Sequence, residues 1–244
     1  MYVILISGRS GSGKSTLARQ LSSFFSIPIK PLAEQLRHDL AVMLTSRMRE
    51  FVGLGLLAEY ITAQDLTGSG ALREYQPDTM ALEAVYRKPT DPNIRLMLVG
   101  YSQWVKSFAG PAYWARRLLA SAKPPFIVDD LRFLAELDYL WRFSLVQAVP
   151  FSIIHIHIMA TEELLRARMR EHYVPPELEP DVETLGAASD FVWPFDVSDH
   201  PQRKSRYFAS VAEMIEKANS GALVGRVFEI FGRKAQTQTQ AQEA

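Results

Sequence analysis

The N-terminal part of the chain switches between strand spacing and helix spacing. Residues 2–7 (YVILIS) form a β-rich apolar run bounded by a glycine, which predicts a buried strand. Apolar or small residues then recur at helical spacing from Lys14 to about Phe25. Residues 27–29 predict a short second strand, and residues 31–44 (PLAEQLRHDLAVML) predict a second helix. Strand, loop, helix, strand and helix in this order are the opening of a parallel α/β sheet.

Helical spacing and proline dominate the middle of the chain. Residues 94–105 (IRLMLVGYSQWV) and 111–122 (PAYWARRLLASA) predict two helices, the second of which ends before a Pro-Pro pair. The stretch before these helices mixes apolar helical segments with a Gly-Ser break and a proline-rich end. We therefore expect the residues at about 45–95 to be an inserted, partly helical region that covers a substrate.

A second group of elements follows in the C-terminal half. Residues 126–130 (FIVDD) predict a central strand that ends in two carboxylates. Residues 133–143 predict a helix, and residues 152–159 (SIIHIHIM) predict a further strand. Thr161 is a suitable N-cap for the next helix, whose end is predicted at the Pro-Pro pair 175–176.

Composition and spacing predict the remaining C-terminal segments. Residues 174–200 are rich in proline and aspartate, which predicts a loop with a last short strand near residues 191–197. Residues 204–218 predict a terminal helix. Residues 233–244 have the low-complexity composition that is typical of a disordered tail.

The overall composition is that of an ordinary globular protein. Apolar residues make up 48% of the 244 residues, and 27 Lys and Arg balance 27 Asp and Glu. This balance argues against a broad basic face for duplex DNA but leaves room for a local basic groove. The absence of cysteine excludes disulfides, thiolate metal sites and a cysteine nucleophile. Because no signal or membrane segment is recognisable, we expect a cytoplasmic protein without a membrane partner.

The glycine-rich residues 8–16 (GRSGSGKST) carry the strongest chemical signal. They match G-x-x-x-x-G-K-[ST] completely, between a predicted strand and a predicted helix. In such a loop, backbone N–H groups and the positive end of the helix dipole hold phosphate oxygens. Lys14 is expected to reach the β- and γ-phosphates of ATP, and Ser15 to bind Mg²⁺. The predicted nucleotide-binding residues of the loop are Gly8, Ser10, Gly11, Ser12, Gly13, Lys14, Ser15 and Thr16.

A phosphate loop also needs a carboxylate nearby to hold or order Mg²⁺. Asp129 and Asp130, at the end of the FIVDD run, supply that carboxylate. Asp130 is expected either to order the metal or to accept the proton of the phosphate acceptor. The same residues are also typical of a strand that enters a turn and has no functional role. The nearby glycine-rich loop favours the functional interpretation.

Several motifs together resemble one group of kinases. The glycine-rich stretch, PLAEQLR, KPTDPNIRLMLVGYSQ, the aromatic pair in PAYWA, and IVDDLRFLAEL are similar to the phage-type deoxynucleoside monophosphate kinases, relatives of phosphomevalonate kinase. The resemblance spans about residues 1–200. It implies a P-loop NTPase fold, a three-layer α/β/α structure with a parallel sheet, an inserted helical substrate region and a short lid. It also implies ATP- and Mg²⁺-dependent transfer of the γ-phosphate to a deoxynucleotide.

The resemblance further implies a division of the chain and roles for its cations. Residues 1–232 would form a single P-loop kinase domain, with a lid at about residues 161–185. Asp130 and Arg132 match the family's Asp-x-Arg motif, which adds Arg132 to Lys14 and Asp130 as predicted catalytic residues. The residues expected to bind the acceptor are Arg37, Arg95 and Trp114. The lid cations expected to contact the nucleotide, four residues apart on one helical face, are Arg166 and Arg170.

Each of these residues also has an ordinary structural interpretation. Arginines are most often solvated at the surface, and two glutamates near the lid arginines can pair with them. Trp114 can be a packing residue instead of a base-stacking one. His155 and His157 share one face of a strand at a chelating spacing, but without a third ligand a structural role is favoured.

The sequence leaves the phosphate acceptor open. Where the family has Gly-Thr-Asp or Gly-Thr-Glu followed by Arg, this chain has GYSQWVK at residues 100–106, and the family's asparagine is missing from FDVSDH. An alternative acceptor is a hydroxymethylated pyrimidine base in phage DNA. Lesser alternatives are a phosphomevalonate-type kinase and a nucleotide-binding module without kinase activity. A phage source would imply the host cytoplasm, and a homodimer stays open.

Overall fold

Contacts between residues divide the chain into two compact units. The sheet unit contains Met1–Pro31 and Ala122–Ala244, and the helical unit contains Leu32–Ser121. The ranges described by this computed structural model are 1–45, 85–86, 92–146, 150–170, 173–194 and 201–220.

Parallel strands form the framework of the sheet unit. In chain order the described strands are β1 (Tyr2–Gly8), β2 (Phe126–Val128), β3 (Ser152–Met159) and β4 (Phe191–Pro194). They are hydrogen-bonded in the order β2-β1-β3-β4, and every pair is parallel. Leu5 lies opposite Val128, and Ser7 lies opposite His157. The strands therefore end at one common edge, which is where open parallel sheets bind their ligands.

Helices accompany the strands throughout, as expected for a mixed α/β fold. In the described part of the chain they are α1 (Lys14–Phe25), α2 (Ala33–Thr45), α3 (Pro92–Ala109), α4 (Tyr113–Ser121), α5 (Leu134–Val146), α6 (Glu162–Met169), α7 (Val182–Ala187) and α8 (Pro201–Asn219). A 3₁₀ turn at Pro176–Leu178 lies between α6 and α7. No helix within these ranges has both the length and the apolar character needed to cross a bilayer.

Apolar side chains bury the sheet on both faces. Ile4 and Ile6 of β1 belong to one buried cluster with Leu17 of α1 and Val211 of α8. The alternate residues of β1, Val3 and Leu5, point to the opposite face and are also fully buried. Since both faces are enclosed, β1 and β3 are nearly continuous apolar runs, as is typical of parallel strands.

Packing and polar contacts join three helices of the helical unit. Helix α2 contacts both α3 and α4. Arg117 of α4 donates to Asp39 of α2 over 2.8 Å. The indole N–H of Trp114 in α4 donates to the hydroxyl of Ser102 in α3 over 2.9 Å. These links join the three helices within this unit.

Two predicted elements need correction. The second strand predicted at residues 27–29 is a single β-bridge between Ile29 and Ile127, because Pro28 has no N–H to donate to a longer ladder. The helix that begins after Thr161 ends at Met169 and does not reach the Pro-Pro pair. It stops there because Arg170 has a φ of 48°, outside the right-handed helical region.

The stretch predicted as a loop at residues 174–200 contains regular structure as well as β4. Besides the 3₁₀ turn, it contains α7, whose Val182 and Leu185 are buried. A helix of one and a half turns offers too short a periodicity for sequence analysis to detect. The predicted insertion lies largely outside the described residues, and the predicted tail at 233–244 lies wholly outside them.

Replacing Gly8 by Ala is expected to destabilise the protein more than replacing Gly110 by Ala. Both glycines have a positive φ, 135° and 93°, where an L-residue costs about 1–2 kcal/mol. A Cβ on Gly8 would lie 2.7 Å from the carbonyl oxygen of Ile158, whereas one on Gly110 meets nothing within 4 Å in the described chain. Urea unfolding should show a loss of about 1–2 kcal/mol for G110A and roughly 2–5 kcal/mol for G8A. Equal losses of stability for G8A and G110A would contradict the close approach of the Gly8 and Ile158 backbones.

Candidate functional site

The chain turns from β1 into α1 through residues 8–16, which we call the glycine loop. Gly8, Gly11 and Gly13 have φ values of 135°, 82° and 92°, in the region that glycine adopts without steric cost. Gly13 is the N-cap of α1 and provides no side-chain hydrogen bond. The first N–H groups of α1 are therefore not taken by a capping side chain, which is the arrangement that binds anions at helix N-termini.

Neighbouring groups approach the glycine loop too closely for side chains at two positions. A Cβ on Gly8 would meet the backbone of β3, and a Cβ on Gly11 would lie 2.5 Å from the Cγ atom of Met169. Met169 is the last residue of α6. The end of α6, in the region predicted as a lid, therefore lies directly on the loop.

The ammonium group of Lys14 is folded back into the glycine loop. Its Nζ donates to the carbonyl oxygens of Gly8 over 2.6 Å and of Arg9 over 2.8 Å. Burial, and secondarily the nearby guanidinium of Arg132, lower the pKa of Lys14 to about 7. The amine is therefore only partly protonated at neutral pH, and an incoming anion would favour its charged form.

The predicted aspartates lie at the end of β2, which is hydrogen-bonded directly to β1. Asp129 is 7% exposed, and Asp130 is partly buried. Both carboxylates are close enough to Lys14 to raise its pKa, against the larger effect of burial. The structure thus brings Lys14, Asp129, Asp130 and Arg132 together, as the sequence analysis expected.

The hydroxyl groups of the loop differ in their surroundings. Ser15 is partly buried in the first turn of α1, and Thr16 is exposed. Ser12 is 1% exposed, and its Oγ has no hydrogen-bond partner within the described chain. A buried hydroxyl without a partner is energetically costly, and a bound ligand is one way to satisfy it.

Glu179 occupies part of the glycine loop and was not found by sequence analysis. The N–H group of Ser10 donates to both carboxylate oxygens of Glu179, over 3.1 and 3.0 Å, and the Ser10 hydroxyl donates over 2.6 Å. Arg132 lies 3.5 Å from the same carboxylate. The glutamate falls in a proline-rich stretch without periodicity, so no local signal in the sequence could have assigned it to the loop.

Tyr173 and Val174 hold the loop through Arg9. The Arg9 guanidinium donates to the Tyr173 hydroxyl and to the Val174 carbonyl oxygen, each over 2.9 Å. The guanidinium carbon also lies 5.5 Å from the centre of the Tyr173 ring. Residues 173–179 are therefore fastened to the glycine loop at Arg9 as well as at Ser10.

The two arginines of the predicted lid do not share a helical face. Arg166 is on α6, where it pairs with Glu162 and lies 4.4 Å from the centre of the Tyr173 ring. Arg170 follows the end of the helix with a positive φ of 48° and is exposed. The expectation of one basic face was wrong because it assumed a helix that continued to Pro175.

Two histidines and a serine form a buried group at the base of the loop. The hydroxyl oxygen of Ser7 lies 2.7 Å from Nε2 of His155 and 2.9 Å from Nδ1 of His157. Burial lowers the pKa of each histidine to about 4, so both rings are neutral at pH 7. This group ties β1 to β3, in agreement with the structural role favoured from the sequence.

The predicted acceptor residues belong to the helical unit. Arg37 on α2 donates to the carbonyl oxygen of Val85, and Arg95 is a partly buried residue of α3. Trp114 is 3% exposed, and its indole N–H is taken by Ser102. The enclosed position of Trp114 supports its packing interpretation, and its stacking on a base stays a prediction.

A divalent cation would have to use few protein ligands here. Over the ranges described, His, Cys, Asp and Glu side chains form no cluster of three or more that could hold a metal. Mg²⁺ usually takes one or two carboxylates and completes its shell with waters and substrate phosphates. Asp129 and Asp130, at the end of β2, are two carboxylates of the kind that such an ion uses.

Comparison with known proteins does not identify a family. No protein-family model matches the chain, and no curated protein matches it.

Neutral glutamine and asparagine in place of the two histidines should reduce the loss of stability in acid. The unfolded histidines protonate near their ordinary pKa of 6.5 and the folded ones near 4, so stability falls as the pH drops through this window. The double variant H155Q/H157N keeps an amide near each ring nitrogen that contacts Ser7. Between pH 7 and pH 5, urea unfolding should show a larger loss for the wild type, by roughly 1–4 kcal/mol. Parallel pH profiles would contradict the buried, neutral state of the rings.

Proposed function

We propose that the protein is an ATP-dependent kinase with a P-loop NTPase fold, which transfers the γ-phosphate of ATP to a deoxynucleoside monophosphate. The observation that carries this proposal is the pairing of the glycine loop with the strand that ends in Asp129 and Asp130. The loop and Lys14 suit a chain of phosphates, and the adjacent aspartates suit the metal that accompanies it. The acceptor class comes from the resemblance in sequence.

The loop has the properties that a phosphate site requires. An internal anion, the Glu179 carboxylate, already takes the N–H and hydroxyl groups of Ser10, so these donors suit anionic oxygens. The Ser12 hydroxyl is buried without a partner in the described structure. Lys14 needs only to exchange two carbonyl contacts for phosphate oxygens, and a charged partner would stabilise its ammonium form.

Mg²⁺ fits the residues at the end of β2. Asp129 and Asp130 would hold or order the ion together with the Ser15 hydroxyl. When bound, Mg²⁺ neutralises charge on the phosphates and stabilises the charge that develops during transfer. Asp130 can also accept the proton of the attacking acceptor, and Arg132 can contact the transferring phosphate.

A second candidate acceptor is a modified base in DNA. It is favoured by an aromatic row on α3, which begins in the segment where the sequence departs from the family and ends at Phe108. The rings of Tyr101 and Trp104 are 5.9 Å apart, those of Trp104 and Phe108 are 5.5 Å apart, and Phe108 is 69% exposed. Exposed aromatic residues are what single-stranded nucleic acids stack on.

Phosphate transfer from γ-labelled ATP tests the proposal and separates the two acceptors. The protein is incubated with Mg²⁺ and either a panel of deoxynucleoside monophosphates or single-stranded DNA that contains hydroxymethylated pyrimidines. We expect the label in free deoxynucleoside diphosphates. Label in the polymer alone would favour the second candidate, and no labelled acceptor in either arm would overturn the kinase proposal.

Replacing Lys14 by Ala should reduce this transfer by about 10²-fold or more, because it removes the positive charge that Lys14 would carry beside bound phosphates. The matched control is K217A, since Lys217 is an exposed lysine of α8 whose ammonium group pairs with Glu213 of the same helix. Circular dichroism checks that both variants are folded. Undiminished transfer by K14A would contradict the assignment of the loop.

The affinity for ATP should fall as the pH rises above 7. The free enzyme has a Lys14 pKa of about 7, and bound phosphate raises that pKa, so binding takes up a proton at higher pH. The decline should approach tenfold per pH unit. Calorimetry in buffers of different ionisation enthalpy measures the proton uptake directly. The variant K14R stays charged, so it should show neither the uptake nor this decline. The titration of ATP itself is common to both proteins and cancels in the comparison.

A further inference from the structure

The Glu179 carboxylate lies in the glycine loop as an anionic hydrogen-bond acceptor. It accepts two contacts from the Ser10 N–H group and one from the Ser10 hydroxyl, the shortest of which is 2.6 Å. Its side chain is 6% exposed. Hydrogen bonds that involve a charged acceptor are about twice as strong as neutral ones.

The backbone around Glu179 fixes this position. The N–H group of Glu179 donates to Pro176 and closes the 3₁₀ turn, and its carbonyl oxygen accepts from Val182 at the start of α7. The next anchor is Asp181, whose side chain accepts from the N–H group of Leu134 in α5. The carboxylate is therefore aimed at the loop by ordered structure on both sides.

Arg132 also contacts the Glu179 carboxylate, but its side chain is more exposed than that of Glu179. Its Nη1 atom lies 3.5 Å from Oε1 of Glu179, and its side chain is 44% exposed. The guanidinium is also close enough to Lys14 to lower its pKa. If the carboxylate leaves the loop, Arg132 loses this anionic partner beside a second cation, and a phosphate group would replace the lost negative charge.

Phosphate and carboxylate oxygens compete for the same donors. The Ser10 N–H group belongs to the loop that would surround the phosphates in the proposed function, and it cannot direct one hydrogen to both anions at full strength. Placing a phosphate chain next to Glu179 would also bring like charges together in a poorly solvated place. Occupation by nucleotide and occupation by Glu179 therefore oppose each other.

We infer that Glu179 is an internal competitor for the phosphate site, and that nucleotide binding displaces its carboxylate from Ser10 and transfers Arg132 from the carboxylate to the phosphate. This inference rests on the proposed function, because it assigns phosphates to the glycine loop. It adds that affinity is set in part by residues 173–179. The binding-competent state is the one in which Glu179 has left the loop, and its population scales the apparent affinity.

The neutral variant Glu179→Gln tests the inference through the affinity for ATP·Mg²⁺, measured by calorimetry. Removal of the competing charge should tighten binding by roughly three- to thirtyfold. The matched control is Glu177→Gln, which removes the same charge from an exposed residue of the same 3₁₀ turn. That control should bind with the affinity of the wild type, since no hydrogen bond in the described structure joins the Glu177 side chain to the loop.

Hydrogen exchange provides a second test of the inference that does not depend on a substitution. In the wild-type protein, a non-hydrolysable ATP analogue with Mg²⁺ should reduce the protection of residues 173–179 while residues 8–16 become more protected. Thermal unfolding verifies that the Gln variants are folded.

The outcomes separate the inference from the proposed function. Binding to the wild type with equal or weaker binding to E179Q would overturn the competitor role and leave the kinase proposal standing. Unchanged or increased protection of residues 173–179 on nucleotide binding would also overturn the competitor role and leave the kinase proposal standing. If neither the wild type nor E179Q binds ATP·Mg²⁺, the proposed function fails and the inference fails with it. Tighter binding by E179Q, or binding by E179Q alone, supports the inference.

Discussion

Backbone crowding at the end of β1 is the constraint on which the rest of the site depends. The chain leaves the sheet at Gly8, where the backbone of Ile158 on β3 leaves no space for a Cβ atom. The positive φ values of Gly11 and Gly13 then bring the chain round into α1. Because the glycines themselves carry no side chains, Lys14 can fold back onto the loop carbonyls and the Glu179 carboxylate can reach Ser10.

Charge in a poorly hydrated place explains the remaining architecture of the site. Lys14 is buried and has Arg132 as a like-charged neighbour, so its ammonium form needs nearby carboxylates. Asp129 and Asp130 come from the adjacent strand, and Glu179 comes from the segment that covers the loop. Under the proposed function, Glu179 supplies part of the negative charge that phosphates would bring. The contacts between Glu179 and Ser10 would then lower the affinity of the loop for a nucleotide.

The two halves of the proposed reaction rest on different kinds of support. The donor half rests on contacts within the sheet unit, where the glycine loop, the β2 aspartates and Glu179 meet. The acceptor half rests on resemblance in sequence and on residues of the helical unit. There, Trp114 is enclosed by protein, whereas Phe108, at the end of the aromatic row on α3, is 69% exposed.

Local pattern by itself determined the strand, glycine loop and helix at the start of the chain and the aspartates after β2. Short-range spacing encodes such elements, because burial repeats with the period of a strand or a helix. Only the tertiary structure decided that Glu179 meets Ser10 across 169 positions, and that Ser7 lies between His155 and His157 across 148 and 150. It also decided where α6 ends, which separated Arg166 from Arg170. These contacts follow from how distant segments pack at one edge of the sheet, and packing between distant segments leaves no periodic trace in either segment alone.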